Sequence, residues 1–183
     1  MATVGTFVVI AASAWAALVQ LRHLRRGYQI TLLNGYNAEI ASQDFRAAYQ
    51  FVNQEFSPDA LSADEIRALS EGNFGGRFAP LRYVANLFEG MGACVAAGSL
   101  DKEIICNLYS VNLLNAWEAV SPVVTLIREV NNRPQVWENF EYLAGLSQEY
   151  IERNPEGAVP KNARRMPRDE SLIARYNPEF TPR

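Results

Sequence analysis

Residues 80–98 read PLRYVANLFEGMGACVAAG, and their apolar side chains recur at intervals of three and four rather than two. Leu81, Val84, Ala85, Phe88, Met91, Gly92 and Val95 therefore share one face of a helix. Pro80 suits the first helical turn, where its missing N–H would have no partner in any case. Gly98 suits the end, because glycine enters the left-handed cap conformation without strain. A stripe this long must face a core. Beside it Arg82, Asn86 and Glu89 fall at i, i+4 and i+7, a polar line that makes them the candidate binding residues. The competing reading is an internal seam of hydrogen bonds and ion pairs.

Outward from this helix the same period continues, and no strand alternation appears between residues 27 and 153. The expected fold is all-α, a compact domain of about six helices behind an N-terminal membrane helix. Leu32, Leu33, Tyr36 and Ile40 mark a helix that can continue directly from the anchor, with Gly27 and Gly35 as soft points. Phe45, Ala48, Tyr49, Val52 and Phe56 form the next stripe, which Pro58 ends. Ser62 with Glu65 three residues on reads as a capping box for a short helix through Leu69. The glycine-rich loop 71–76 does not read as a phosphate cradle, since no strand precedes it and no Gly-Lys-Ser/Thr follows.

Asp101 can cap a helix carrying Ile104, Ile105, Leu108 and Tyr109. Leu113, Leu114, Trp117, Val120, Val124 and Ile127 continue in register through Pro122, where the helix either kinks or yields to a new one capped by Ser121. Pro134 is expected to open the last helix, with Trp137, Phe140, Ala144 and Ile151 on one face. Trp117 and Trp137 are expected in the core.

At the N-terminus, residues 3–21 (TVGTFVVIAASAWAALVQL) hold no charge, and as a helix they would span about 28 Å, the thickness of a bilayer's hydrocarbon. Arg22, His23, Arg25 and Arg26 follow at once as a basic stop. A cleaved export signal carries its positive charge before the apolar run, not after it, so an uncleaved anchor is the better reading. The positive-inside tendency then places the short N-terminus outside and the rest in the cytoplasm, in a single pass of the plasma (inner) membrane. Ala12 with Ala16, or Ser13 with Ala17, offers the small spacing that lets a second membrane helix approach.

The net charge of −3 is unevenly spread. Residues 27–153 carry 8 basic against 16 acidic side chains, a balance of −8, while residues 154–183 carry 6 against 4, a balance of +2. A body this acidic argues against nucleic acid as a partner, because that affinity comes largely from Lys and Arg on phosphates. Three regions follow: 1–26 as anchor with its basic stop, 27–153 as the helical cytoplasmic domain, and 154–183 as a Pro/Arg-rich tail expected to be disordered. Lys161, Arg164, Arg165 and Arg168 in that tail are placed to touch anionic lipid, against a default of plain solvation.

Signs of chemistry are few. Cys94 and Cys106 form no C-x-x-C pair and read as buried thiols, so neither a metal nor a cofactor is expected. His23 is the only histidine, and among surface arginines it reads as interfacial rather than catalytic.

The run Pro80–Gly92, the Gly98-Ser99-Leu100-Asp101 that follows, Trp117-Glu118-Ala119 with Pro122 and Arg128-Glu129, and Glu138–Leu143 are similar to the hallmark stretches of domain of unknown function family 4760. That resemblance covers roughly residues 4–150. It implies an uncharacterised prokaryotic, membrane-anchored, all-helical domain, and it brings no activity, cofactor or catalytic residue.

The expected role is a membrane-tethered module for protein interaction, scaffolding or regulation, with lipid held by residues 3–21 and a protein partner or second copy of unknown identity. Two alternatives stand beside it. One is an accessory subunit whose anchor makes the contacts. The other is an enzyme, not expected, whose acid and base would be drawn from Glu89, Glu118, Glu138 and Glu141.

Overall fold

A computed structural model describes residues 2–160, 162–167, 169 and 171–176, with the side chains of 2–9, 11, 171, 173 and 174 outside the described set. Among the described residues it is all-helical and contains no strand. The chain divides into two compact units, Met1–Arg153 and Asn154–Arg183.

Six α-helices build the first unit: α1 Ala2–Ala41, α2 Gln43–Gln50, α3 Ala63–Ser70, α4 Ala79–Ala96, α5 Lys102–Asn131 and α6 Glu138–Arg153. A π-helical turn, Phe51–Glu55, extends α2, and the backbone becomes extended at Phe56, two residues before Pro58. Ser62 caps α3 in the expected reciprocal box, its hydroxyl accepting from the Glu65 N–H while the Glu65 carboxylate accepts from the Ser62 N–H at 2.9 Å. Helix α4 starts at Ala79 with Pro80 in its first turn and closes on Gly98 at φ +67°, with Ser99 N–H reaching back to the Cys94 carbonyl. Asp101 caps α5 by accepting from the Glu103 and Ile104 amides.

The core lies where α4, α5 and α6 meet. Leu81, Phe88, Met91, Leu113, Phe140 and Leu143 are fully buried, and α2 adds Phe45. Aromatic rings run through it from Phe45 to Phe88 at 5.9 Å, Phe88 to Phe140 at 5.2 Å and Phe140 to Trp117 at 5.1 Å. Trp137 is buried, whereas Trp117 packs on the core while keeping partial exposure.

Helix α1 runs unbroken past the soft points Gly27 and Gly35, because a helical glycine costs only about 1 kcal/mol when flanked by good helix formers. Of the two readings left open at Pro122, a single helix through the proline is the one that forms. The proline removes the donor that would have met the Glu118 carbonyl, and the Ser121 hydroxyl donates to that carbonyl instead, at 3.3 Å. Pro134, expected to open the last helix, opens a turn instead. Asn132 ends α5 in the left-handed region at φ 50°, Trp137 repeats that conformation at φ 52°, and α6 begins only at Glu138.

Among the described residues, no helix is long and apolar enough to cross a membrane. About half of the expected 3–21 span has side chains outside the described residues. The tail unit contains one short helix, α7, Ser171–Tyr176, where no order was expected, and Arg165 donates to the Glu156 and Gly157 carbonyls. The expected lipid contacts of Lys161 and Arg168 lie outside the described residues.

Candidate functional site

The polar line on α4 divides. Glu89 faces the start of α6, where one carboxylate oxygen accepts from the Asn139 side-chain amide at 2.7 Å and the other from the Phe140 backbone N–H at 2.8 Å. The first N–H groups of any helix lack partners within it, so Glu89 caps α6 from a neighbouring helix and sets a negative charge at its positive end. Asn86 accepts from the Trp137 indole N–H at 2.9 Å, which holds the residue whose positive φ aims the chain into α6. Gly92 lies so close to the Asn139 backbone that a Cβ would run into its carbonyl. These three residues fix α6 on α4. Arg82, by contrast, is exposed and shares in none of these bonds. Of the three candidate binding residues, Asn86 and Glu89 thus join a structural junction and Arg82 stands apart from it.

The four carboxylates considered for acid–base chemistry are spread among different surroundings. Glu89 is engaged as a cap, Glu141 pairs with Arg128 at 2.6 Å, and Glu118 and Glu138 are exposed. None of the four borders the clefts described below. Among the described residues no group of three His, Cys, Asp or Glu side chains is placed to hold a metal. Cys106 is buried and desolvation pushes its thiol up, while Cys94 is half-buried beside the Tyr36 hydroxyl at 3.7 Å.

A second group of residues gathers where α1 passes the α4–α5 corner. Arg25 donates to the Gly98 carbonyl at 3.1 Å, so one arginine of the basic cluster is a C-terminal cap for α4. Arg26 borders a cleft of about 180 Å³ with Ile30, Leu33, Leu100, Asp101 and Ile104. On the other side Arg25, Gln29, Val95, Lys102 and Tyr142 edge a wider recess of about 380 Å³. Arg22 and His23 lie further up α1, exposed. Below the corner, Ile30 on α1 and Ile104, Leu108 and Val111 on α5 remain exposed, the last three at i, i+4 and i+7 of one helix face.

Lower on α1, three polar contacts tie it to the body. Tyr36 meets Cys94, Tyr109 donates to Asn37, and Tyr83 donates to Glu39. The bond to Glu39, with burial second, raises the Tyr83 phenol above its usual range; burial does the same for Tyr36 and Tyr109. Sequence reasoning missed this corner, although a signal was present. Arg25, Gln29, Leu32, Tyr36 and Ile40 follow each other at three and four, so Arg25 belongs to the stripe by which α1 faces the body.

Neither a search of curated proteins nor one of solved structures gives a match. A family model, Domain of unknown function (DUF4760), matches residues 7–146. That range takes in α4 with its junction to α6 and the whole of α5, and it stops short of the tail. On this match, which spans more than half of the chain, the chain belongs to the DUF4760 family.

Proposed function

We propose that the protein is a membrane-tethered module whose helical domain binds, scaffolds or regulates another protein at the cytoplasmic face. The observation that carries this reading is the upper half of α1, a continuous helix whose described large apolar side chains stay out of the core. Ile10, Trp15, Leu18 and Leu21 are exposed on it, and Leu24 is 71% exposed. Leaving such side chains in water forgoes about 1.5–3 kcal/mol each, and lipid tails recover that stabilisation. The positions of the arginines support the same reading, since Arg22 to Arg26 begin about 2 Å beyond Leu21 and end about 8 Å beyond it, at headgroup depth.

For the domain itself, the support lies in the open apolar face of Ile30, Ile104, Leu108 and Val111. Tethering concentrates such a face near membrane partners without any new contact. The test is crosslinking in native membranes with a photoreactive residue at position 108. A specific adduct, to another protein or to a second copy, is the expected result; an uncrosslinked chain would remove the interaction reading. Replacing residues 1–26 with an unrelated anchor separates the accessory-subunit alternative, in which the adduct would vanish with the native anchor.

A further inference from the structure

We propose that the tail is a second, reversible membrane contact, in which Met166, Leu172 and Tyr176 enter the lipid interface while Arg164 and Arg175 lie against anionic headgroups. This rests on the anchored topology proposed above. Three observations carry it. First, α6 ends beside the start of α5, because Arg153 pairs with Glu103 at 3.3 Å, and Glu103 edges the same recess as Arg25 of the basic stop. The tail therefore leaves the body at the end nearest the arginines.

Second, the tail's charge is opposite to the body's. Residues 154–183 balance at +2 and residues 27–153 at −8, so anionic lipid attracts the first and repels the second. Third, the tail holds large apolar side chains almost bare to solvent, with Met166 84%, Leu172 71% and Tyr176 93% exposed. Leu172 and Tyr176 stand one turn apart on α7, with Arg175 between them. Met166 is not on that helix. Apolar residues dispersed among arginines suit a fluid plane, which adapts to them, better than a shaped protein groove.

The full chain, reconstituted in vesicles of zwitterionic lipid alone or with added anionic phosphatidylglycerol, provides the test through flotation and through trypsin cleavage after Arg165. The proposal expects flotation with both compositions and cleavage at least about tenfold slower on anionic vesicles. High salt, R164Q/R175Q and L172S/Y176S should each restore the fast rate, and these positions lie outside the core. Equal cleavage on both compositions would overturn the tail contact and leave the anchor intact. Flotation with anionic vesicles alone would uphold the tail and overturn the anchor, and flotation with neither would overturn both. Protection found only in native membranes, absent from anionic vesicles, would assign the tail to a protein and reject the lipid.

Discussion

Helices α1 and α4 differ in what they bury. Helix α4 places seven residues in the core, from Leu81 to Val95, with exposed polar groups opposite. Helix α1 is more than twice as long, and none of its described side chains is buried; Leu32, Leu33, Tyr36 and Ile40 are half-covered, and much of its hold is polar. A helix with a strong apolar stripe is explained by its own domain. The exposed apolar side chains of α1 above its body-facing stripe are what the proposed anchor would account for.

The contrast can be broken most forcefully by truncating one side chain in each region. Phe88→Ala empties a fully buried site between Phe45 and Phe140 and should cost about 3–5 kcal/mol of unfolding free energy in denaturant titrations. Leu33→Ala on α1, half-covered at the edge of a cleft, should cost well under half of that. Comparable losses would mean that α1 belongs to the core after all.

Next in size is the junction that aligns α6. Glu89→Ala strands the Phe140 N–H and the Asn139 amide and should cost about 1–3 kcal/mol, with Glu89→Gln recovering part of it by keeping one acceptor. Equal losses from Ala and Gln would show that charge at the helix end, rather than the hydrogen bond, is what matters.

The smallest effect concerns the hold on α1. Tyr36, Tyr83 and Tyr109 all have phenols raised in the folded state, so the stability they add is complete below the unfolded tyrosine value of about 10 and is lost as pH climbs through their folded values. Between pH 9 and 12, hydrogen exchange should quicken along residues 30–41 before it quickens in α4. Simultaneous loss would put α1 and the core in one cooperative unit.

Much of this fold was legible because the body is amphipathic. The stripes of α2 and α4, the Ser62–Glu65 box and the Asp101 cap each follow from a local spacing, and each element formed there. What local rules could not reach was set by tertiary partners. Pro122 leaves a kink and a new start equally open until Ser121 is seen to satisfy the carbonyl it frees. Pro134 reads as a helix start until Asn86 is seen to hold Trp137 at a positive φ that delays α6. The candidate site was legible in part. The polar line on α4 was visible, but its division into a cap, an indole acceptor and an exposed arginine depends on α6, fifty residues away. Arg25 was read as a membrane stop alone because its second role, on the Gly98 carbonyl, lies across 73 residues of chain.

The most direct test of the account is topology in living cells, with green fluorescent protein or alkaline phosphatase fused after Arg183. Fluorescence confined to the membrane fraction with no phosphatase activity is the predicted result, since residues 3–21 then span the bilayer and Arg22 to Arg26 hold the domain in the cytoplasm. Phosphatase activity outside, or fluorescence recovered in the soluble fraction, would contradict it.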